Sequence, residues 1–88
     1  MYSFDITETL DKKLTKLRKK NPQQFESVYK KIAEIIQNPQ HYKNLKAPMQ
    51  HLKRVHIDKS FVLLFSVHED EKKVIFEELA HHDNVYLR

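Results

Sequence analysis

The chain has 88 residues, a formal charge of +4 and six histidines, and it contains neither cysteine nor glycine. That length suits one domain with a modest core, and residues 1–88 are read as one. The lack of cysteine excludes disulfides and thiolate metal sites and fits a cytoplasmic chain. No run of about 18 apolar residues marks a membrane span, and no apolar core marks an export signal. A glycine-rich phosphate loop is excluded, and tight turns fall to Asn, Asp, Lys and Pro.

Tyr2, Phe4 and Ile6 alternate with Ser3 and Asp5, which predicts a half-buried strand over 2–6. Thr7 is a good N-cap, and Glu8 places a carboxylate in the first turn, where it suits the helix dipole. Leu10, Leu14 and Leu17 then recur at helical spacing as far as Lys20. Asn21-Pro22-Gln23-Gln24 is a second helix start, with an N-cap, Pro at the first position and Gln at the third. Phe25, Val28, Ile32, Ile35 and Ile36 form its apolar stripe, and Asn38-Pro39 stops it. Two amphipathic helices joined this closely run as an antiparallel hairpin.

Residues 39–50 read as a loop, with Pro39 and Pro48 opposing regular structure. Strands follow over about 51–57, 61–68 and 73–79, with turns at Asp58 to Ser60 and Glu69 to Lys72. Phe61 to Val67 is the most apolar run in the chain apart from Ser66, and reads as a central strand. Residues 80–88 read as a short polar, then apolar, tail. The pattern predicts an α+β domain: an N-terminal strand, a helix hairpin packed on one sheet face, then three antiparallel strands. The other sheet face is expected to be concave and open.

Charge is unevenly placed. Residues 41–60 hold Lys43, Lys46, Lys53, Arg54 and Lys59 against the single acid Asp58, whereas residues 69–78 hold five acids against Lys72 and Lys73. A local basic zone meets the electrostatic requirement for phosphate binding, though it also describes a solvated surface. Histidines stand at 41, 51, 56, 68, 81 and 82. Strand alternation turns Arg54 and His56 to one face and Val55 and Ile57 to the other. If the strands of His56 and His81-His82 flank the central strand, these imidazoles face one cleft. Imidazoles titrate near neutrality and serve as general base and acid. RNA cleavage needs a base for the 2′-hydroxyl, an acid for the leaving 5′-oxygen and cations for the phosphate. His56 and His82 supply the first two, with His81 beside them, and Lys43, Lys46, Lys53 and Arg54 supply the last. Asp83 can orient an imidazole, and Tyr86 offers a ring for base stacking. The plainer readings are a surface His56, a solvated His81-His82 pair or chance metal binder, an Asp83 that caps a turn and a packed Tyr86. With no Cys and no i, i+4 His pair on a helix, no dedicated zinc site and no cofactor is expected.

Over essentially its whole length the chain resembles the RelE/ParE superfamily of toxin–antitoxin toxins. The resemblance is carried by His41-Tyr42-Lys43-Asn44-Leu45-Lys46, by Lys53 to Phe65 and by His81-His82-Asp83-Asn84-Val85-Tyr86. It is most similar to the histidine-using mRNA interferases of the YafQ type, which show a His-Ile-acid motif entering an aromatic-aliphatic strand and a His four residues before a terminal aromatic. His56 and Asp58 match the first, and His82 and Tyr86 the second. The resemblance implies a RelE-like fold, ribosome-dependent mRNA cleavage without metal, and neutralisation by a cognate antitoxin. Positions where the RelE branch carries arginine fall at Val62 and near Ala80, the YafQ-type acid before the strand aromatic is Ser60, and the loop histidine of that branch has no clear counterpart. A ParE-like toxin that binds DNA gyrase and an inactive relic that binds only its antitoxin stay open as alternatives.

Overall fold

The computed structural model describes residues 1–83. Strand β1 (Ser3–Ile6) leads into helices α1 (Glu8–Lys20) and α2 (Pro22–Ile35), followed by β2 (Lys53–Ile57), β3 (Phe61–His68) and β4 (Lys73–His81). This is the expected α+β arrangement. The sheet order is β1-β4-β3-β2, with the β2–β3 and β3–β4 pairs antiparallel and β1 parallel to β4. The sequence places the first strand in the sheet but does not say where. It lies at the far edge, where Ser3 pairs with Lys73 and Ile6 with Phe76.

The helix starts are fixed by the predicted caps. Thr7 Oγ1 accepts from the Leu10 amide and Asn21 Oδ1 from that of Gln24, each at 3.2 Å, so orphan amides at both first turns are satisfied. Asn21 also ends α1, its own amide donating to Leu17 O at 2.7 Å. One residue therefore closes one helix and opens the next, which forces the hairpin. Leu10 and Leu14 of α1 and Val28, Ile32 and Ile35 of α2 pack on Ile57, Leu63, Phe65, Val74, Phe76 and Leu79 of the sheet. Phe65 and Phe76 are fully buried with ring centroids 5.8 Å apart, a tilted pair that adds to the area each ring buries.

The other sheet face departs from expectation. It is not wholly open: Leu52, Val62 and Leu64 form a second buried cluster, capped by Leu45, Met49 and Ala80. The loop over 45–52 has therefore folded back onto the sheet, with Met49 and Leu52 amides donating to Lys46 and Met49 carbonyls in tight turns. The details of the loop and of two strand ends also differ from expectation. β2 begins at Lys53 and not at 51, because Leu52 is used in the loop turn. The loop contains a 3₁₀ turn at Pro39–His41 and an isolated bridge from Asn44 to Lys53. β4 continues to His81, past the expected end at 79, because Ala80 and His81 pair with Val62 and Phe61.

A bulge between Leu64 and Phe65 leaves Glu77 of β4 without a register partner, since Leu64 pairs with Glu78 and Phe65 with Phe76. Its carbonyl takes the Thr7 hydroxyl at 2.9 Å, so the bulge is tied to the start of α1. In a chain without glycine, two ordinary residues among those described occupy the left-handed region: Asp58 (φ 56°) in the β2–β3 turn and Lys72 (φ 50°) after the 3₁₀ turn Glu69–Glu71. Asp tolerates that conformation better than most residues. The Asp58→Val variant, β-branched at a left-handed position, is expected to lose about 1–3 kcal/mol in urea denaturation, and unchanged stability would remove the conformational role assigned to Asp58.

Near the β3–β4 turn, Tyr2 donates its hydroxyl to the Glu69 carboxylate, and Gln40 Nε2 donates to the same group at 3.1 Å. The Tyr2 bond, then the Gln40 bond, hold the Glu69 carboxyl below its ordinary value, and the Glu69 bond holds the Tyr2 phenol above its own. A carboxyl depressed by folding stabilises above its unfolded pKa and loses that contribution as pH falls through the folded value. A raised phenol stabilises below its unfolded pKa and loses that contribution as pH rises. The stability difference between wild type and Tyr2→Phe is therefore expected to be greatest from about pH 5 to 9 and to shrink toward both extremes. A difference independent of pH across denaturation series from pH 2 to 11 would refute the linkage.

Candidate functional site

The β2–β3 turn is where the predicted residues meet. His56 is exposed on β2, the edge strand, and pairs with Val62, which pairs in turn with Ala80. β2 and β4 thus flank β3, but the register sets His56, Val62 and Ala80 on one sheet face and His81, paired through Phe61 with Ile57, on the other. At the end of β4 the His82 amide donates to Ser60 O in that same turn at 2.8 Å. This bond fixes His82 beside the hairpin whose first strand carries His56. Ala80 is two strand spacings from His56, about 10 Å across the sheet with Val62 between them, and His82 follows two residues beyond Ala80.

His81 and His82 have ring centroids 5.0 Å apart, and His81 also meets the Phe61 ring edge-on at 5.7 Å. Asp83 faces both imidazoles: its Oδ2 lies 3.6 Å from His81 Nδ1 and its Oδ1 3.3 Å from His82 Nε2. The structure therefore brings the His81-His82-Asp83 group together as one cluster. Tyr86 lies outside the described residues.

The four basic candidates separate. Lys43 and Lys46 are exposed in the loop, and Arg54 is half-buried on β2, two residues before His56 on the same strand face. Lys53 sits differently. Its side chain turns toward the helix side of the sheet, it is only 7% exposed, and its ammonium donates to Tyr42 O and Asn44 Oδ1, each at 2.9 Å. It fastens the loop to β2 and is not presented to a phosphate. Asn44 completes the fastening by donating its Nδ2 to Gln50 O at 2.8 Å.

Two groups escaped the sequence reading. A groove of about 210 Å³ runs between α2 and the β2 edge, where Lys30, Lys31 and Glu34 face His56 and Asp58. In sequence the helix reads only as core scaffold, and the signal is the polar set Ser27, Lys30, Lys31 and Glu34 at helical spacing beside its apolar stripe. At the other end of β3, the Ser66 hydroxyl donates to Glu77 Oε2 and contacts His68 Nε2, both at 3.0 Å. Ser66 and His68 share a face by their i, i+2 spacing, but the bulge that brings Glu77 to them is not visible in sequence.

The positions of Val62 and Ala80 acquire a structural meaning. Val62 is fully buried and both lie in the second apolar cluster under the loop. An arginine at either position would have to displace that packing.

The model of the ParE toxin of type II toxin–antitoxin systems, parDE, matches residues 4–86. The chain belongs to this toxin family. It is 54% identical over 88 residues to the putative toxin RelE4 of Methanocaldococcus jannaschii, covering all of this chain and 94% of that one. Its fold is also similar to RelE in the intact E. coli RelBE toxin–antitoxin complex (TM-score 0.75, 20% identity, 92% of this chain and 96% of that one). E. coli YafQ is similar to a like degree (TM-score 0.72, 15% identity, 98% of this chain and 99% of that one). The fold thus joins the chain to both RelE and YafQ and does not single out the YafQ branch.

Because Lys53 is buried and Lys46 exposed, their substitutions separate structure from surface. Lys53→Met leaves Tyr42 O and Asn44 Oδ1 without their shared donor and is expected to lose about 1.5–3 kcal/mol in chemical denaturation. Lys46→Ala is expected to stay within about 0.5 kcal/mol of wild type. Equal effects of the two would refute the assignment of Lys53 as the loop fastener.

Proposed function

We propose that this toxin is a ribosome-dependent mRNA endoribonuclease that arrests translation in the cytoplasm, with His56 and His82 as general base and acid. The observation that carries this reading is the His82 amide bond to Ser60 O, which holds the β4 imidazoles at the hairpin that bears His56. One imidazole takes the proton of a ribose 2′-hydroxyl, whose oxygen attacks the adjacent phosphorus. The 5′-oxygen leaves with a proton from the other imidazole, and a 2′,3′-cyclic phosphate remains. The rest of the site serves this step. Asp83 orients His82, and His81 stands beside it. Lys43, Lys46 and Arg54 hold the phosphate, joined by Lys30 and Lys31 across the groove, and Tyr86 stacks on a base. Lys53, named as a phosphate cation from sequence, is left out of the set because it is buried. No metal or cofactor takes part in this chemistry.

The YafQ-type histidine pair supports this branch over an arginine-based one, since apolar packing occupies Val62 and Ala80. The partner is a cognate antitoxin, acidic and partly disordered alone, that covers the basic surface. The RelBE complex among the structural neighbours, a toxin held by its antitoxin, supports that partnership. The alternative is a ParE-like toxin that blocks DNA gyrase without cleaving RNA, favoured by the ParE description of the matching family model.

Expression of the wild type is expected to produce new mRNA 5′ ends in phase with codons, mapped by primer extension. The His56→Ala, His82→Ala double variant is expected to reduce them by at least about 100-fold. Growth arrest by the wild type with no new ends would replace this reading with the gyrase one.

A further inference from the structure

The cluster at the end of β4 has the chemistry and the spacing of a metal chelate. Two imidazoles and a carboxylate each offer one ligand atom, and these atoms lie within 4.8 Å of one another. Zinc holds imidazole nitrogen and carboxylate oxygen at about 2.0–2.2 Å in a tetrahedron, which sets neighbouring ligand atoms about 3.3 Å apart. The carboxylate–imidazole separations here, 3.3 Å to His82 Nε2 and 3.6 Å to His81 Nδ1, already approach that value. The Asp83 amide donates to His81 Nδ1 at 3.3 Å. A metal on that nitrogen takes the lone pair that now accepts from the amide, so binding there displaces this long hydrogen bond. All three side chains are reachable from solvent, at 41%, 33% and 66% exposure for His81, His82 and Asp83. The His82 amide bond to Ser60 O fixes the middle ligand's backbone, so little ordering is needed on binding.

We propose that His81, His82 and Asp83 form a binding site for a divalent transition-metal ion. Imidazole and carboxylate donors suit Zn²⁺ and, higher in the affinity order, Cu²⁺. With three protein ligands the remaining positions stay open to water. The site stands on its own geometry. Its consequence, that a bound ion withdraws His82 from proton transfer, rests on the nuclease reading. The ion is thus an inhibitor of the reaction and not its cofactor.

The test uses the full chain without a polyhistidine tag and without RNA, so its outcome is separate from that of the cleavage experiment. Calorimetric titration with Zn²⁺ at neutral pH is expected to show one equivalent bound. Loss of a ligand costs at least the roughly 10–100-fold typical of an outer-shell partner, so Asp83→Asn and His81→Ala are each expected to weaken binding by about tenfold or more. The His41→Ala, His51→Ala, His68→Ala triple variant is expected to bind as wild type. With Cu²⁺, electron paramagnetic resonance is expected to show coupling to two imidazole nitrogens in the wild type and to one in His81→Ala. Asp83→Asn is an exposed, near-isosteric change, so its result is independent of folding. No binding below millimolar Zn²⁺, binding unchanged by Asp83→Asn, or binding lost in the triple variant would each overturn the site.

Discussion

Burial of β3 on both faces is the constraint from which the rest of the architecture follows. Val62, Leu63, Leu64 and Phe65 are all at most 4% exposed, and the strand is paired along both edges. A strand this apolar cannot leave one face to water without exposing two of these side chains, Leu63 and Phe65 on one face or Val62 and Leu64 on the other. The helix hairpin covers Leu63 and Phe65. Only the loop is available for Val62 and Leu64, which is why residues 45–52 fold back and why a lysine and an asparagine hold them there. The loop carrying Lys43 and Lys46 is thus positioned by a packing demand on the strand next to the one it leads into.

The same demand shapes the candidate site. His56 and His82 lie on either side of a strand whose intervening residue on that face is apolar and buried. They can share a substrate but cannot touch one another through the sheet. The Ser60 carbonyl sets the position of the β4 end, and the turn it belongs to exists because Asp58 accepts a left-handed conformation. Backbone geometry at one residue therefore reaches the imidazole pair through a single hydrogen bond.

The helix boundaries, the strand count and the central strand were legible in the sequence, because caps and apolar periodicity are local signals. The Asn21-Pro22 step needed no tertiary information. What could not be read was non-local. Lys53 looks like a surface cation in any one-dimensional reading, and only its pairing with Phe65 and the approach of Asn44 reveal it as buried. The extension of β4 through Ala80 and His81 depends on partners across the sheet and not on strand propensity. The closeness of His81, His82 and Asp83 was visible as adjacency, but the distances between their ligand atoms depend on where β4 ends.

The parallel pairing of β1 with β4 has a consequence in time. Ser3 meets Lys73, so during synthesis β1 waits for a strand that begins 70 residues later. At synthesis rates of roughly 5–20 residues per second, the interval is on the order of 4–14 s. The α1–α2 hairpin has only local contacts to make and can form in microseconds, while the sheet that carries the imidazoles cannot close. The Thr7 contact with the β4 bulge adds a second late closure at the same junction. The candidate site therefore cannot assemble before β4 is available, whereas the helix hairpin can.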